Sequence, residues 1–341
     1  MTPEQKKIFD SLSSKEVPEE KLSLHSRVLI VDSLNTFMRA FAVIRHVNHN
    51  LTPIGGLTGF LRSMAYAINL VRPTRVIAVF DGQGSSTNKR YIYPEYKANR
   101  HLRRITNWDH FESQEAESEA IINQVVRLVE YLKCLPVDMI TIDKIEADDV
   151  IGYMAQRVGQ DTTIMSSDRD YLQLVSDRVT VFSPTKKKFY TPKMVLEEYG
   201  VTPENFLIQK MLLGDSGDNV PGVQGLGPKT LIKEFPELGG KDRVSLNEIL
   251  TKCKEGKKKV HGSIRNFERQ LEVNKLLMDL ENPNIPEEGI KEIESCILEP
   301  YKQFNSLEFV RLYNEDDLGN SIPNVQNWLF NHFHTLSKYK E

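Results

Sequence analysis

Short apolar segments alternate with amphipathic stretches over the first half of this 341-residue chain. The apolar segments have the length and the valine and isoleucine content of buried strands, and they lie at 27–31, 76–80, 138–142, 162–165 and 179–182. The stretches between them carry apolar residues at helical spacing, as at 56–71 and 121–132. Strands that alternate with helices indicate βαβ units, and therefore an α/β fold with a mainly parallel sheet flanked by helices.

Nine carboxylates accompany these segments in five clusters, at or just beyond the strands or in the helices that follow them. They are Asp32, Asp81, Glu146, Asp148, Asp149, Asp168, Asp170, Asp215 and Asp218. Open α/β sheets place their sites beyond the carboxyl ends of the strands. Carboxylates gathered there repel each other unless cations lie among them, and hard oxygen ligands suit Mg²⁺, with Mn²⁺ as a substitute. The pattern predicts a divalent-metal site.

Each acidic cluster also has an ordinary structural interpretation. Asp32 alone could cap a helix, and the acids of EADD (145–149 region) suit a helix N-terminus electrostatically. Asp168 and Asp218 lie in sequences typical of turns. The recurrence of the same arrangement along the chain favours the metal site.

Charge is segregated along the chain, although the net charge is only −3. Six basic residues and one acid lie between 84 and 107, and five lysines lie between 252 and 259. Such patches fit a cationic face that binds nucleic acid. Pro94 is well placed to begin a helix, on which Lys97, Arg100, His101 and Arg104 would share one face.

The three cysteines are isolated, which argues against a disulfide framework or a cysteine metal site. No apolar run approaches the length needed to span a membrane and no signal peptide opens the chain, so we expect an intracellular protein without a membrane partner. The segment GVQGLGPKT resembles a helix–hairpin–helix turn, in which glycines allow close approach and free N–H groups can hold a phosphate. We therefore divide the chain into an extension (1–26), a metal-binding core (27–190) with a basic arch at about 84–120, and a helical region (191–341) with the hairpin at about 205–236.

EADD, SSDRDYLQL, GDSGDN and GLGPK follow each other in an order that resembles the flap endonuclease/5′-nuclease family, and PEYKANR resembles that family's arch. The family includes the 5′-nuclease domain of bacterial DNA polymerase I and phage replication nucleases, and NWDHFES is similar to its phage ribonuclease H members. The resemblance implies a PIN-like sheet with a helical arch. It also implies two Mg²⁺ ions: Asp32, Asp81, Glu146 and Asp148 around the first, Asp168 and Asp170 at the second, and Asp149, Asp215 and Asp218 acting directly or through water.

The same resemblance implies roles outside the acids. Lys97 and Arg100 would contact the scissile phosphate, and the hairpin would grip the duplex backbone and bind K⁺ through carbonyl oxygens. The implied DNA contacts are Arg90, Tyr96, Arg103, Arg104, Gly222, Val223, Gly225, Leu226, Gly227 and Lys229.

The implied function is a structure-specific 5′-nuclease that removes RNA primers and 5′ flaps in replication and repair. We expect a monomer in the cytoplasm of a bacterial or phage-infected cell, acting on DNA and RNA–DNA hybrids beside replication proteins such as a single-strand-binding protein or a sliding clamp. VQNWLFNHF resembles a clamp-binding peptide only loosely, and we expect it to be a helix packed on the core. The alternatives are a PIN-like ribonuclease and a DNA-junction-binding module without catalysis.

Overall fold

Six strands form one sheet in the computed structural model, which describes residues 25–99, 111–298 and 303–339. The spatial order is β3-β2-β1-β4-β5-β6. The first five strands pair in parallel, and β6 pairs antiparallel with β5. The strands are β1 Arg27–Asp32, β2 Arg75–Asp81, β3 Asp138–Ile142, β4 Asp161–Met165, β5 Val179–Ser183 and β6 Lys188–Tyr190. The predicted mainly parallel sheet is confirmed, while the three-residue β6 was not predicted.

Helices connect the first four strands and make up much of the described chain after β6. They are α1 Ser33–Val43, α2 Gly55–Val71, α3 Thr87–Ile92, α4 Gln114–Lys133, α5 Ala147–Ala155, α6 Pro192–Tyr199, α7 Pro203–Leu213, α8 Pro228–Glu234, α9 Leu246–Glu255, α10 Lys259–Asn266, α11 Glu268–Met278, α12 Glu287–Leu298, α13 Ser306–Glu315 and α14 Val325–Phe333. Local sequence explains several starts, because α6, α7 and α8 have proline in their first turn and α9 begins with a Ser245–Glu248 capping box.

Both faces of the sheet are buried, which explains why its strands are almost continuously apolar. Val28 and Ile30 of β1 lie in the cluster with α5 to α12, whereas Leu29 and Val31 lie in the cluster with α1, α2, α4, α13 and α14. Each cluster contains residues from both sides of the predicted division at residue 191. The sheet and the later helices therefore share their hydrophobic core.

The last helices are fastened to the sheet layer by both polar and apolar contacts. The buried Arg75 guanidinium lies 2.7 Å from Asp138 and donates to the carbonyl oxygens of Cys296 and Ile297 at 3.0 and 2.6 Å. VQNWLFNHF forms α14, and its Leu329 and Phe333 are buried. The expectation of a helix packed on the core is confirmed.

The basic segment differs from the prediction. Residues 94–99 form turns, so the helix predicted to begin at Pro94 is wrong for this part of the chain. Lys97 has φ +55°, and its N–H donates to the Asp218 carbonyl oxygen at 2.8 Å, which a helix would not allow. Arg100, His101, Arg103 and Arg104 lie outside the described residues, as does most of the predicted extension. Among the described residues, no helix is both long and apolar enough to cross a membrane.

Candidate metal centre and nucleic-acid interface

Asp32 both caps a helix and faces the acidic edge. Its Oδ1 accepts the Asn35 N–H at the start of α1, at 3.3 Å. Its Oδ2 accepts the hydroxyls of Ser166 and Tyr171, at 2.8 and 3.2 Å. Burial raises the pKa of Asp32 to about 6 against these hydrogen bonds, and the charge of Asp81 adds to the rise. Asp32 therefore is the helix cap that the sequence allowed, and its second oxygen atom lies at the acidic edge, where its role as a metal ligand stays a prediction.

Three acids at the start of α5 form a compact carboxylate group. Oxygen atoms of Glu146, Asp148 and Asp149 all lie within 4.8 Å of one another, which is close enough to share one metal ion. Glu146 is the N-cap residue, but its side chain does not cap the helix. Asp81 at the end of β2 accepts the Ala147 N–H at 3.0 Å and so adjoins the group. This arrangement follows from the edge at which the parallel strands end.

Lys89 of α3 lies in the middle of this carboxylate group. Its Nζ is 3.0 Å from Glu146, 2.9 Å from Asp149 and 3.5 Å from Asp148. Burial raises the pKa of Asp149 to about 7, although Lys89 opposes the rise. Burial would also raise the pKa of Glu146, but Lys89 and Lys97 hold it at about 2. The lysines beside these buried carboxyl groups therefore favour their ionised form.

A second carboxylate group continues the edge beyond β4. The Asp168 N–H donates to Ser166, and the Asp170 N–H donates to Asp168, each at 3.0 Å. The Nζ of Lys210 in α7 bridges Asp170 and Asp215, at 2.6 Å from each. Burial raises the pKa of Asp170 to about 7, with Lys210 opposing. Burial raises the pKa of Asp168, and the negative charges of Asp32 and Asp148 add to the rise. The two carboxylate groups therefore act on each other as one acidic site.

Tyr96 and Lys97 point into the acids. Tyr96 is 3% exposed, and its hydroxyl donates to Glu146 at 2.8 Å and lies 3.4 Å from Asp218. The Lys97 ammonium pairs with Glu146 and lies 3.8 Å from Asp218. The main chain of this segment is held as well, since the Asn219 amide donates to the Glu95 carbonyl oxygen at 2.8 Å. The DNA contacts predicted for these two side chains stay predictions, and in this structure both side chains are internal.

Of the four arginines predicted to contact DNA or its scissile phosphate, only Arg90 lies among the described residues. Arg90 is exposed, and its guanidinium donates to the Tyr96 carbonyl oxygen at 3.3 Å. Arg100, Arg103 and Arg104 cannot be placed, because they lie outside the described residues.

The predicted hairpin joins α7 to α8 through residues 214–227. Two of its predicted contacts, Val223 and Leu226, are buried in the core and hold the hairpin in place. A DNA contact of these two residues would therefore be made by their main chain, and it stays a prediction. Gly225, with φ +80°, and Gly227 have open space beside them, and Lys229 is exposed. The open face of the hairpin is therefore made by glycine main chain and one lysine.

One open cleft of about 770 Å³ links the acids to the hairpin. Its lining includes the acids Asp168, Asp170 and Asp215 and the bases Lys210 and Lys229, of which Lys229 lies at the start of α8. An anionic chain in this cleft would meet both kinds of side chain, and the carboxylates need cations to accept it.

The sequence did not identify Lys89 or Lys210 as part of the acidic site. Lys89 was noted only as part of the basic segment, and Lys210 carried no signal, because its partner acids belong to segments that meet only in the fold. Ser166 and Tyr171, which orient Asp32, were missed for the same reason.

Known nucleases share the fold of this chain, and they are similar to it in sequence over residues 27–200. The fold is the PIN-like fold of the bacteriophage T5 flap endonuclease, whose crystal structure with DNA and metal ions is similar with a TM-score of 0.63 and 22% identity over 89% of this chain and 98% of that chain. A family model for the 5′-3′ exonuclease N-terminal resolvase-like domain matches residues 27–200. The chain belongs to the 5′-3′ exonuclease family.

Curated relatives agree with this assignment. A 5′-3′ exonuclease from Bacillus subtilis is 34% identical over 246 residues, which cover 68% of this chain and 78% of that protein. The thermostable DNA polymerase I of Thermus thermophilus is 30% identical over 258 residues, which cover 74% of this chain but only 29% of the polymerase. The resemblance seen in the sequence motifs is therefore confirmed.

Proposed function

We propose that this protein is a structure-specific 5′-nuclease that hydrolyses phosphodiesters near 5′ ends at duplex junctions, in DNA and in RNA–DNA hybrids. The single observation that carries the proposal is the cleft that joins the acidic site to the open face of the hairpin. The family membership supports the reaction class, and the T5 flap endonuclease of similar fold is known with DNA and metal ions. The task would be the removal of RNA primers and 5′ flaps in replication, in the bacterial or phage-infected cytoplasm.

The acidic site suits divalent cations by the chemistry of its donors. All of its candidate ligands are carboxylate oxygens, and burial disfavours their charged form unless cations are present. Asp32, Asp81, Glu146 and Asp148 would hold one Mg²⁺ with Asp149 beside them, and Asp168 and Asp170 would hold another, with Mn²⁺ as a substitute. Two such ions, when bound, activate a water nucleophile and stabilise the charge of a phosphodiester that is being cleaved.

The remaining residues would position the substrate. Lys229 and the main chain of Gly225 and Gly227 would bind the duplex backbone, with a K⁺ ion at the hairpin in the same role. Backbone contacts carry no base sequence, so the specificity would be for the structure of the junction. Lys97 would have to leave Glu146 before its ammonium could contact the scissile phosphate beside Arg100.

The test uses a 5′-flap duplex and a nicked RNA–DNA hybrid, labelled so that every product is resolved, with Mg²⁺ or EDTA. We expect cleavage near the junction that requires Mg²⁺. Asp168→Asn should abolish turnover with junction binding retained, because one carboxylate ligand is lost. Asp177→Asn is the matched control, since Asp177 is an exposed acid in the turn before β5 and outside the cleft.

Other outcomes separate the alternatives. Tight junction binding without cleavage would support a catalytically silent binding module. Cleavage of unstructured RNA alone would support a PIN-like ribonuclease, and an active Asp168→Asn variant would refute the assignment of this ligand.

A further inference from the structure

Lys89 is an internal cation at the place where a metal ion is expected. It is 7% exposed, and its Nζ lies within 3.5 Å of all three carboxylates that are close enough to share one ion. An ammonium and a divalent cation cannot both lie at the centre of the same three carboxylates, because they compete for the same oxygen atoms and repel each other.

Lys210 repeats this arrangement in the second carboxylate group. Its Nζ lies 2.6 Å from Asp170 and 2.6 Å from Asp215, so it bridges two acids that come from different parts of the chain. It comes from α7, which leads into the hairpin, whereas Lys89 comes from α3 at the start of the basic segment. Lys89 and Lys210 thus place an internal ammonium in each carboxylate group, and Lys97 adds a second one at Glu146 of the first group.

The two lysines differ in the space beside them. Lys210 lines the open cleft, into which its ammonium can turn. Lys89 lines a small cavity of about 10 Å³ between α3 and the end of α11, beside Asn88, Lys144 and Asn284. A cavity of this size holds no more than about one water molecule, so the release of Lys89 requires a movement of α3 or of these neighbours, whereas Lys210 needs only a rotation of its side chain.

We propose that Lys89 and Lys210 are built-in counter-ions which hold the acidic site together in the metal-free protein and which divalent ions displace when they bind. This inference rests on the proposed function, because it takes the carboxylates to be metal ligands. Without the lysines, the carboxylates would face each other uncompensated in a partly buried site. With them, the site is pre-formed, and each metal ion binds at the cost of breaking a buried ion pair.

The first experiment follows the lysines directly in the full wild-type chain. An amine-acetylating reagent is applied in EDTA and then with saturating Mg²⁺, and the acetylation rate of each lysine is measured by peptide mass spectrometry. We expect Lys89 and Lys210 to be protected in EDTA and to react about tenfold faster with Mg²⁺, because the population shifts to a state with free ammonium groups. Lys252, which pairs with Glu237 outside the site and is 42% exposed, should react equally in both conditions. Continued protection of Lys89 and Lys210 with Mg²⁺ bound would overturn the proposal.

The second experiment measures Mg²⁺ affinity by titration calorimetry without DNA. Lys89→Met and Lys210→Met should each bind Mg²⁺ about tenfold more tightly than wild type, since no ion pair has to break first. Lys252→Met is the matched control and should bind like wild type. Unchanged or weaker binding in both site variants would show that the lysines do not compete with the metal. If either variant fails to fold, the acetylation experiment on the wild-type chain still decides.

The nuclease assay on the same wild-type protein keeps the two proposals apart. Cleavage with Mg²⁺ while both lysines stay protected would overturn the counter-ion role and leave the proposed function intact. Absence of any cleavage would count against the proposed function instead.

Discussion

Gly222 is a position where a single methyl group should displace the hairpin. A Cβ at Gly222 would lie 2.0 Å from the Leu213 carbonyl oxygen and 2.3 Å from its carbon. The first distance is about 1.4 Å shorter than an ordinary contact, and the obstacle is main chain at the end of α7. Because neither side can yield by rotating a side chain, we expect Gly222→Ala to cost about 3 kcal/mol, at the upper end of overpacking penalties.

The assay is thermal unfolding together with junction binding. A loss of about 3 kcal/mol should lower Tm by about 4 °C in a chain of 341 residues, whose unfolding entropy is about 0.7 kcal/mol/K. The hairpin should also move away from the cleft, so junction affinity should fall together with stability.

Gly227→Ala is the matched control, because it adds the same methyl group to the same hairpin. A Cβ at Gly227 meets nothing within 4 Å, and its φ of −107° suits any residue. We expect a change in unfolding free energy within about 0.5 kcal/mol. Its methyl group would nevertheless face the proposed DNA, so junction affinity should fall without loss of stability. Equal Tm values for the two variants would refute the steric argument, and unchanged affinity in Gly227→Ala would remove this hairpin face from the DNA interface.

Four further predictions concern the site and the core. Burial raises the pKa of Asp32 to about 6 and that of Asp149 to about 7, so Mg²⁺ affinity measured by calorimetry should fall as the pH drops from about 7.5 to about 5.5, because protons then compete for the ligands. Because the pKa values of Asp32 and Asp149 are higher in the folded state than in the unfolded state, the metal-free protein should lose stability as the pH rises from about 4 to about 8. Denaturant unfolding in EDTA measures this, and a rise in stability over that pH range would contradict it. Lys97→Ala should lower the single-turnover cleavage rate by orders of magnitude, and a rate equal to wild type would make Lys97 only an internal partner of Glu146. Arg75→Met should destabilise the fold by about 3–5 kcal/mol because it removes the buried ion pair with Asp138 and the hydrogen bonds to the Cys296 and Ile297 carbonyl oxygens, and a normal unfolding midpoint in denaturant would contradict this.

The strands and their acidic ends were predictable because they depend on local pattern. Apolar runs such as 27–31 and 76–80 can only be buried strands or short helices, and the parallel sheet brings their ends to one edge. The three-residue β6 was missed because it is too short to show a periodicity. The helix expected from Pro94 was wrong because proline fixes only the local φ, whereas the buried partners of Tyr96 and Lys97 decide the path of the chain.

Contacts between distant segments could not be predicted from the sequence. Lys89 meets Glu146 across 57 positions, and Lys210 meets Asp170 across 40. Val223 and Leu226 were predicted as DNA contacts because they belong to the hairpin motif. Their side chains are buried in the core, which leaves only their main chain for such a contact. A motif specifies which residues lie in a turn, while packing decides which of them point outward.

The sequence by itself determined the α/β class, the family and the set of nine acids, since these depend on periodicity, residue chemistry and order along the chain. Only the tertiary structure decided which cation each acid meets. Ion pairs form between atoms that are close in space, and their positions are set by how α3, α7 and the turn at 94–99 pack against the edge of the sheet.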